Sequence, residues 1–193
     1  NYAHPAMPEG AEEGIRKGLY LFREAEGDGH RVQLLGSGSI LREVIAAADI
    51  LEAQFGVKSD IWSATSFTEL RRDGEAVARH NRLNPEDHRS GWVEQCMAGR
   101  EGPAIAATDY VSAFPDQIRA FLPQTDYVVL GTDGFGRSDT RQNLRRFFEV
   151  DRHQVVYAAL YALYRQGKFD RDALVAARDE LGIDPAKPNP FSM

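Results

Sequence analysis

Short apolar runs bounded by turn residues recur along the chain, and segments of helical periodicity stand between them. Leu19-Tyr20-Leu21-Phe22, Val32-Gln33-Leu34-Leu35, Pro103-Ala104-Ile105-Ala106-Ala107 and Tyr127-Val128-Val129-Leu130 are apolar on both faces or nearly so. That is the signature of strands covered from two sides, not of a sheet with one wet face. Asp60 to Ala64 (DIWSA) is a further short β-prone run. Ile40, Leu41, Val44, Ile45, Ala48, Leu51 and Phe55 recur at helical steps, and Gly56 stands where a helix ends. Ser66 with Glu69 forms a capping box for a second helix, and Asp151 and Asp170 stand as caps for two C-terminal ones. Ala11 to Gly18, Trp92 to Met97 and Pro115 to Phe121 read as shorter helical segments. Strands alternating with helices predict an α/β fold, three-layer α/β/α, with a mostly parallel sheet.

At 193 residues the chain suits one compact domain, with a radius of gyration of ~16 Å. A net charge of −6 argues against a nucleic-acid footprint. One cysteine, Cys96, excludes an internal disulfide and fits a reducing compartment. No apolar run approaches the ~20 residues of a membrane span, so a soluble, cytoplasmic protein with no membrane partner is expected. The chain opens at Asn1 with NYAHPAMPEG, whose prolines at 5 and 8 suit a linker entering a domain. We therefore expect a piece of a longer polypeptide: a lead-in at 1–10, a domain at 11–184, and an extended tail at 185–193 with prolines at 185, 188 and 190.

LLGSGS at 34–39 lies where a nucleotide-binding α/β domain places its phosphate loop, between a strand and a helix N-terminus. The dinucleotide fingerprint needs a third glycine where Leu41 stands, so the loop reads as a tight turn. GxxxxGK[ST], HExxH and GxSxG are absent, and His4, His30, His80, His88 and His153 lack metal-ligand spacing. Arg71-Arg72 and Arg145-Arg146 read as solvated helix faces.

LGTDGFGRSDT at 130–140 follows an apolar strand, at the end of the sheet where open α/β folds build ligand sites. Asp133 and Asp139 suit a metal and Arg137 an acidic group. The same loop suits a glycine-governed turn that seats Phe135 on a neighbouring surface while an aspartate holds Arg137. Composition leaves both readings open.

GTDGFGRSDTRQNLRRFFEVD at 131–151 closely resembles the final domain of the homodimeric bacterial pyruvate dehydrogenases, members of the transketolase-like thiamine diphosphate enzyme family. NYAHPAMPEGAEEGIRKG at 1–18, VQLLGSGSILREV at 32–44, TSFTELRRDG at 65–74 and ATDYV at 107–111 carry the same resemblance. It implies a transketolase C-terminal-domain-like fold. For the parent enzyme it implies thiamine diphosphate and Mg²⁺ chemistry on pyruvate, with acetyl transfer to lipoyl groups of the acyltransferase component. The family's cofactor motif is GDG followed, a few dozen residues on, by a metal-ligating asparagine. Gly27-Asp28-Gly29 copies the first half, but no asparagine follows before Asn81, so the triplet is read as a decoy. Asp133-Gly134 followed by Asn143 is spaced too closely.

The resemblance thus implies no catalytic, cofactor-binding or metal residue in this chain, which alone would be inactive. It implies a structural domain packed on the preceding domains and the second subunit, with Asp133, Phe135 and Arg137 as candidate interdomain or intersubunit contacts. Competing expectations are a docking module for the acyltransferase core, a small-anion site at the strand-end loops, and the same domain of another 2-oxo acid dehydrogenase or a transketolase.

Overall fold

The computed structural model describes residues 5–124 and 126–192. Residues 1–4, part of the expected lead-in and including His4, lie outside the described residues, as do Thr125 and Met193. The sheet contains β1 (Leu19–Arg23), β2 (Arg31–Gly36), β3 (Lys58–Ala64), β4 (Ala104–Ala107) and β5 (Tyr127–Leu130), in the order β1-β3-β2-β4-β5. β1 runs antiparallel to β3 and every other pairing is parallel. The expected mostly parallel sheet is therefore present. DIWSA, read as a short β-prone run, forms most of β3, which at seven residues pairs on both its edges.

The strands feed two cores by their period of two. Val32, Leu34, Ile61, Ile105 and Ala107 face one way, onto α2 (Leu41–Phe55), α7 (Arg152–Arg165) and α8 (Arg171–Glu180). Leu35, Trp62, Ala64, Ala104 and Ala106 face the other, onto α3 (Phe67–Leu83) and α4 (Trp92–Met97). α2 sends Val44, Ala47, Ala48 and Leu51 inward, following the helical repeat seen in the sequence. Each fully buried aliphatic of this size contributes roughly 1.5–3 kcal/mol, so the sheet is held from both layers, more heavily on the side of α2, α7 and α8. α1 (Glu12–Lys17) leads into β1. Among the described residues no helix is long and apolar enough to cross a membrane.

Ser66 Oγ accepts the Glu69 amide at 3.2 Å, and Asp151 and Asp170 cap α7 and α8 as expected. Pro115 to Phe121 departs from expectation. It holds a single α-turn, α5 (Ala113–Asp116), and then a 3-10 turn at Arg119–Phe121. Leu122 precedes Pro123, which pushes it to extended geometry at ψ 132° and ends the 3-10 turn at Phe121. The tail, expected to be extended, closes in a 3-10 turn at Pro190–Ser192, where Asn189 Oδ1 accepts the Phe191 amide at 2.9 Å.

Candidate functional site

Three loops converge at the carboxyl end of the sheet: residues 37–40 after β2, 108–112 after β4 and 131–140 after β5. They are tied to one another. Thr132 donates its amide to Tyr110 O and its hydroxyl to Asp109 O, both at 2.8 Å. Asp133 Oδ1 accepts the Ser112 amide at 3.1 Å, and Ser39 Oγ donates to Asp109 Oδ2 at 3.0 Å. Gly131 permits this closeness, because a Cβ there would lie 2.4 Å from Ser112 N.

α6 (Arg141–Phe147) starts where the third loop ends. Thr140 Oγ1 accepts the Asn143 amide at 3.3 Å, and Asn143 Nδ2 donates to Asp139 Oδ1 at 2.8 Å. The Asn143 amide holds the Asp139 carboxyl below its usual range, aided by the Thr140 backbone.

The loop thus spends its polar groups internally. Asp133 faces inward onto Ser112. Arg137 stacks on a ring, its guanidinium carbon 4.2 Å from the Phe147 centroid, where the sequence suggested an aspartate partner. Phe135 projects outward, 82% exposed, and Arg137 is exposed beside it.

One buried constellation escaped the sequence reading. Glu43 on α2 is only 5% exposed, and two arginines converge on it. Arg145 Nη1 donates to its Oε1 at 2.8 Å, and Arg152 Nε and backbone amide donate to its Oε2 at 2.9 and 3.2 Å. Arg145 Nη2 also reaches Ser39 Oγ at 3.2 Å, so a polar chain runs from Asp109 through Ser39 and Arg145 to Glu43. Burial pushes the Glu43 carboxyl up, yet the Arg152 hydrogen bond and the two guanidinium charges outweigh it and leave it below the ordinary range. The expectation of a solvated Arg145 is corrected: its side chain is 14% exposed because Glu43 draws it in. Arg71 and Arg72 do lie on a solvated face, paired with Glu75 and Glu69.

The residues present do not fit thiamine diphosphate or its metal. Gly27-Asp28-Gly29 turns at the amino end of β2, away from the loops just described, with Asp28 exposed and Gly27 O taken by Arg31 Nη2 at 2.8 Å. Asn81 is committed to the backbone of Arg89, receiving its amide and donating to its carbonyl, both at 2.8 Å. Asn143 is committed to Asp139. Among the described residues no group of three or more His, Cys, Asp or Glu side chains could hold a metal ion. Cys96 is half-buried, and that burial pushes its thiol up to about 11, against the pull of Lys17 and Arg100.

A mostly parallel five-stranded sheet with one antiparallel edge, helices on both faces and bridged strand-end loops defines a three-layer α/β domain of the transketolase C-terminal type. The Transketolase-like TK C-terminal domain family matches residues 18–151, and the chain belongs to that family. It is 56% identical to the pyruvate dehydrogenase E1 component of Pseudomonas aeruginosa over 99% of its length. It is 55% identical to that of Cupriavidus necator over its whole length, and 53% identical to that of Escherichia coli K12 over 98%. It spans only 21–22% of these relatives. Among solved structures, a transketolase from Pichia stipitis superposes with a TM-score of 0.54 at 18% identity, covering 82% of this chain and 20% of the other. One from Campylobacter jejuni gives 0.51 at 20% identity, covering 76% and 19%. These two share the fold.

Proposed function

We propose that this chain is the C-terminal domain of a pyruvate dehydrogenase E1 component, a cytoplasmic oxidoreductase. The parent enzyme decarboxylates pyruvate with thiamine diphosphate and Mg²⁺ and passes the acetyl group to the lipoyl groups of the acyltransferase component. The cofactor, where bound, supplies the electron sink for decarboxylation. This domain supplies none of its ligands. Its role is structural: residues 11–184 form a unit, entered through 1–10, that packs on the preceding domains and the second subunit and so completes the dimer. Asp133 and Arg137 brace the strand-end loop from within, and Phe135 makes the contact outward.

The observation carrying this reading is identity of 53–56% over nearly the whole chain to three pyruvate dehydrogenase E1 components. Calorimetric titration of thiamine diphosphate with Mg²⁺ tests it. The chain alone should give no saturable heat up to millimolar cofactor, while the parent enzyme binds and turns over pyruvate. Saturable binding by the chain alone, or a parent enzyme inactive on pyruvate, would remove the proposal.

A further inference from the structure

The tail after α8 returns to the strand-end loops and is held at discrete points. Gly182, at φ +67°, follows the helix, and Ile183 donates its amide to Arg178 O at 3.0 Å. From there to Ser192 every residue is exposed except half-buried Ile183 and Lys187 and buried Pro190. A segment fixed at a few points and otherwise in water is among the first parts of a fold to open.

Lys187 is the middle point. Its Nζ donates to Phe147 O at 2.6 Å and Arg146 O at 3.1 Å, where the last turn of α6 leaves carbonyls without helical donors. A cation there also meets the negative end of the helix. The same Nζ reaches Glu149 Oε1 at 3.0 Å. Glu149, at φ +60°, is the one non-glycine at positive φ among the described residues. Side chains disfavour that conformation, and the ion pair with Lys187 holds the turn between α6 and α7 in it.

Pro190 is the outer point. A Cβ at Gly134 would lie 2.9 Å from Pro190 O, so the strand-end loop and the tail meet backbone to backbone. Phe191 beside it stands with Tyr110 and Phe135 on the exposed rim of these loops. The Phe147 ring joins the two segments again, with Arg137 of the loop 4.2 Å and Lys187 of the tail 5.5 Å from its centroid. Between these contacts the tail spans a cavity of about 270 Å³, lined by Val129 and Leu130 of β5, Phe148, Glu149 and Pro190.

We propose that residues 184–192 are a latch. Docked through Lys187 and Pro190, they hold the end of α6 and the loop 131–140 in place. When they lift, loop and helix end loosen together and the cavity beside β5 opens. The order of the strand-end loop is thus set by a lysine beyond the last α-helix.

Amide hydrogen exchange by NMR on the full chain tests this. Ser112, Thr132 and Phe148 report on the latched region, since their amides bond to Asp133 Oδ1, Tyr110 O and Leu144 O. In Lys187→Met all three should exchange about tenfold faster, the scale of one lost charge-assisted hydrogen bond, while Leu34 and Ile105 in the sheet keep their rates. A chain ending at Asp184 should do the same. Lys168→Met, the same change at an exposed lysine between α7 and α8, should alter none of the five. Faster exchange confined to the tail overturns the latch, as does equal acceleration in the sheet or an equal effect of Lys168→Met. If Lys187→Met does not fold, the wild type decides. In urea below the unfolding transition, Lys187, Ser192 and Thr132 amides should exchange through one opening, with one free energy and one urea dependence. Separate openings overturn the proposal.

Discussion

Glu43 shows what one residue decides. It lies on α2 beside core leucines and valines, and a glutamate in an amphipathic stripe reads as a boundary residue from the sequence alone. Its partners stand more than a hundred positions away, with separations of 102 and 109 residues, beyond the reach of any local pattern. Replacing it with glutamine removes the buried carboxylate charge on which Arg145 and Arg152 converge. Removing one partner of a buried pair costs ~3–5 kcal/mol, and the half-exposed Arg152 places Glu43→Gln at or below the low end, about 2–3 kcal/mol. Because the folded carboxyl titrates below its usual range, its contribution is fully present above about pH 4.3 and is lost as pH falls through the lowered value. Urea unfolding should therefore show the gap between wild type and Glu43→Gln widest near neutrality and shrinking below pH 4. A gap as wide at pH 3 as at pH 7 contradicts the assignment. Two glycines separate backbone conformation from space. Gly99 and Gly102 both have positive φ, but a Cβ at Gly99 meets nothing within 4 Å while one at Gly102 would lie 1.7 Å from Arg31 O. Gly99→Ala should cost ~1 kcal/mol, and Gly102→Ala clearly more, because two backbone segments must part. Equal midpoints in denaturant for the two variants would refute the distinction.

At the scale of elements, local chemistry does most of the work. Ser66, Asp151 and Asp170 each accept backbone amides of the helix they precede, and each was legible as a polar residue before an apolar repeat. Ser66→Ala should lower stability by about 1 kcal/mol, as for other lost N-caps. Thermal unfolding of the variant reads this directly, and no shift would mean that water replaces the hydroxyl. The elements misread are those whose cause is not local. β3 reads two residues short because Lys58 and Ser59 look polar, yet Ser59 is buried, as is Asp60 beside it. Asp60 is tolerated there because Ala25 N donates to it at 2.9 Å and Gln33 Nε2 at 3.1 Å. Gln33 in turn accepts Trp62 Nε1 at 2.8 Å, so a polar strand residue is satisfied only once β2 and β3 are paired. The Leu122-Pro123 pair marks the end of the next segment at Phe121, but the break after Asp116 has no counterpart in the local sequence pattern.

In the molecule as a whole, strand order ranks stability. β2 lies at the centre, paired with β3 and β4, while β1 and β5 form the edges. Native-state hydrogen exchange should protect Leu34, Leu35 and Ile105 amides most, with loop 131–140 opening first because its polar bonds are exposed. Protection of that loop equal to β2 in the isolated chain would show a cover that the strand-end rim lacks. The same order explains what could be read beforehand. Apolar runs, their period and the capping residues determined the α/β class, the two covered faces and most helix starts, because those follow from interactions within a few residues. The long runs shared with pyruvate dehydrogenases determined the family for the same linear reason. Only the tertiary structure decided that Arg145 turns inward to Glu43, that Asp133 braces Ser112, and that Tyr110, Phe135 and Phe191 share one rim. Each of those depends on loops that are distant in sequence and become neighbours when parallel strands align their carboxyl ends.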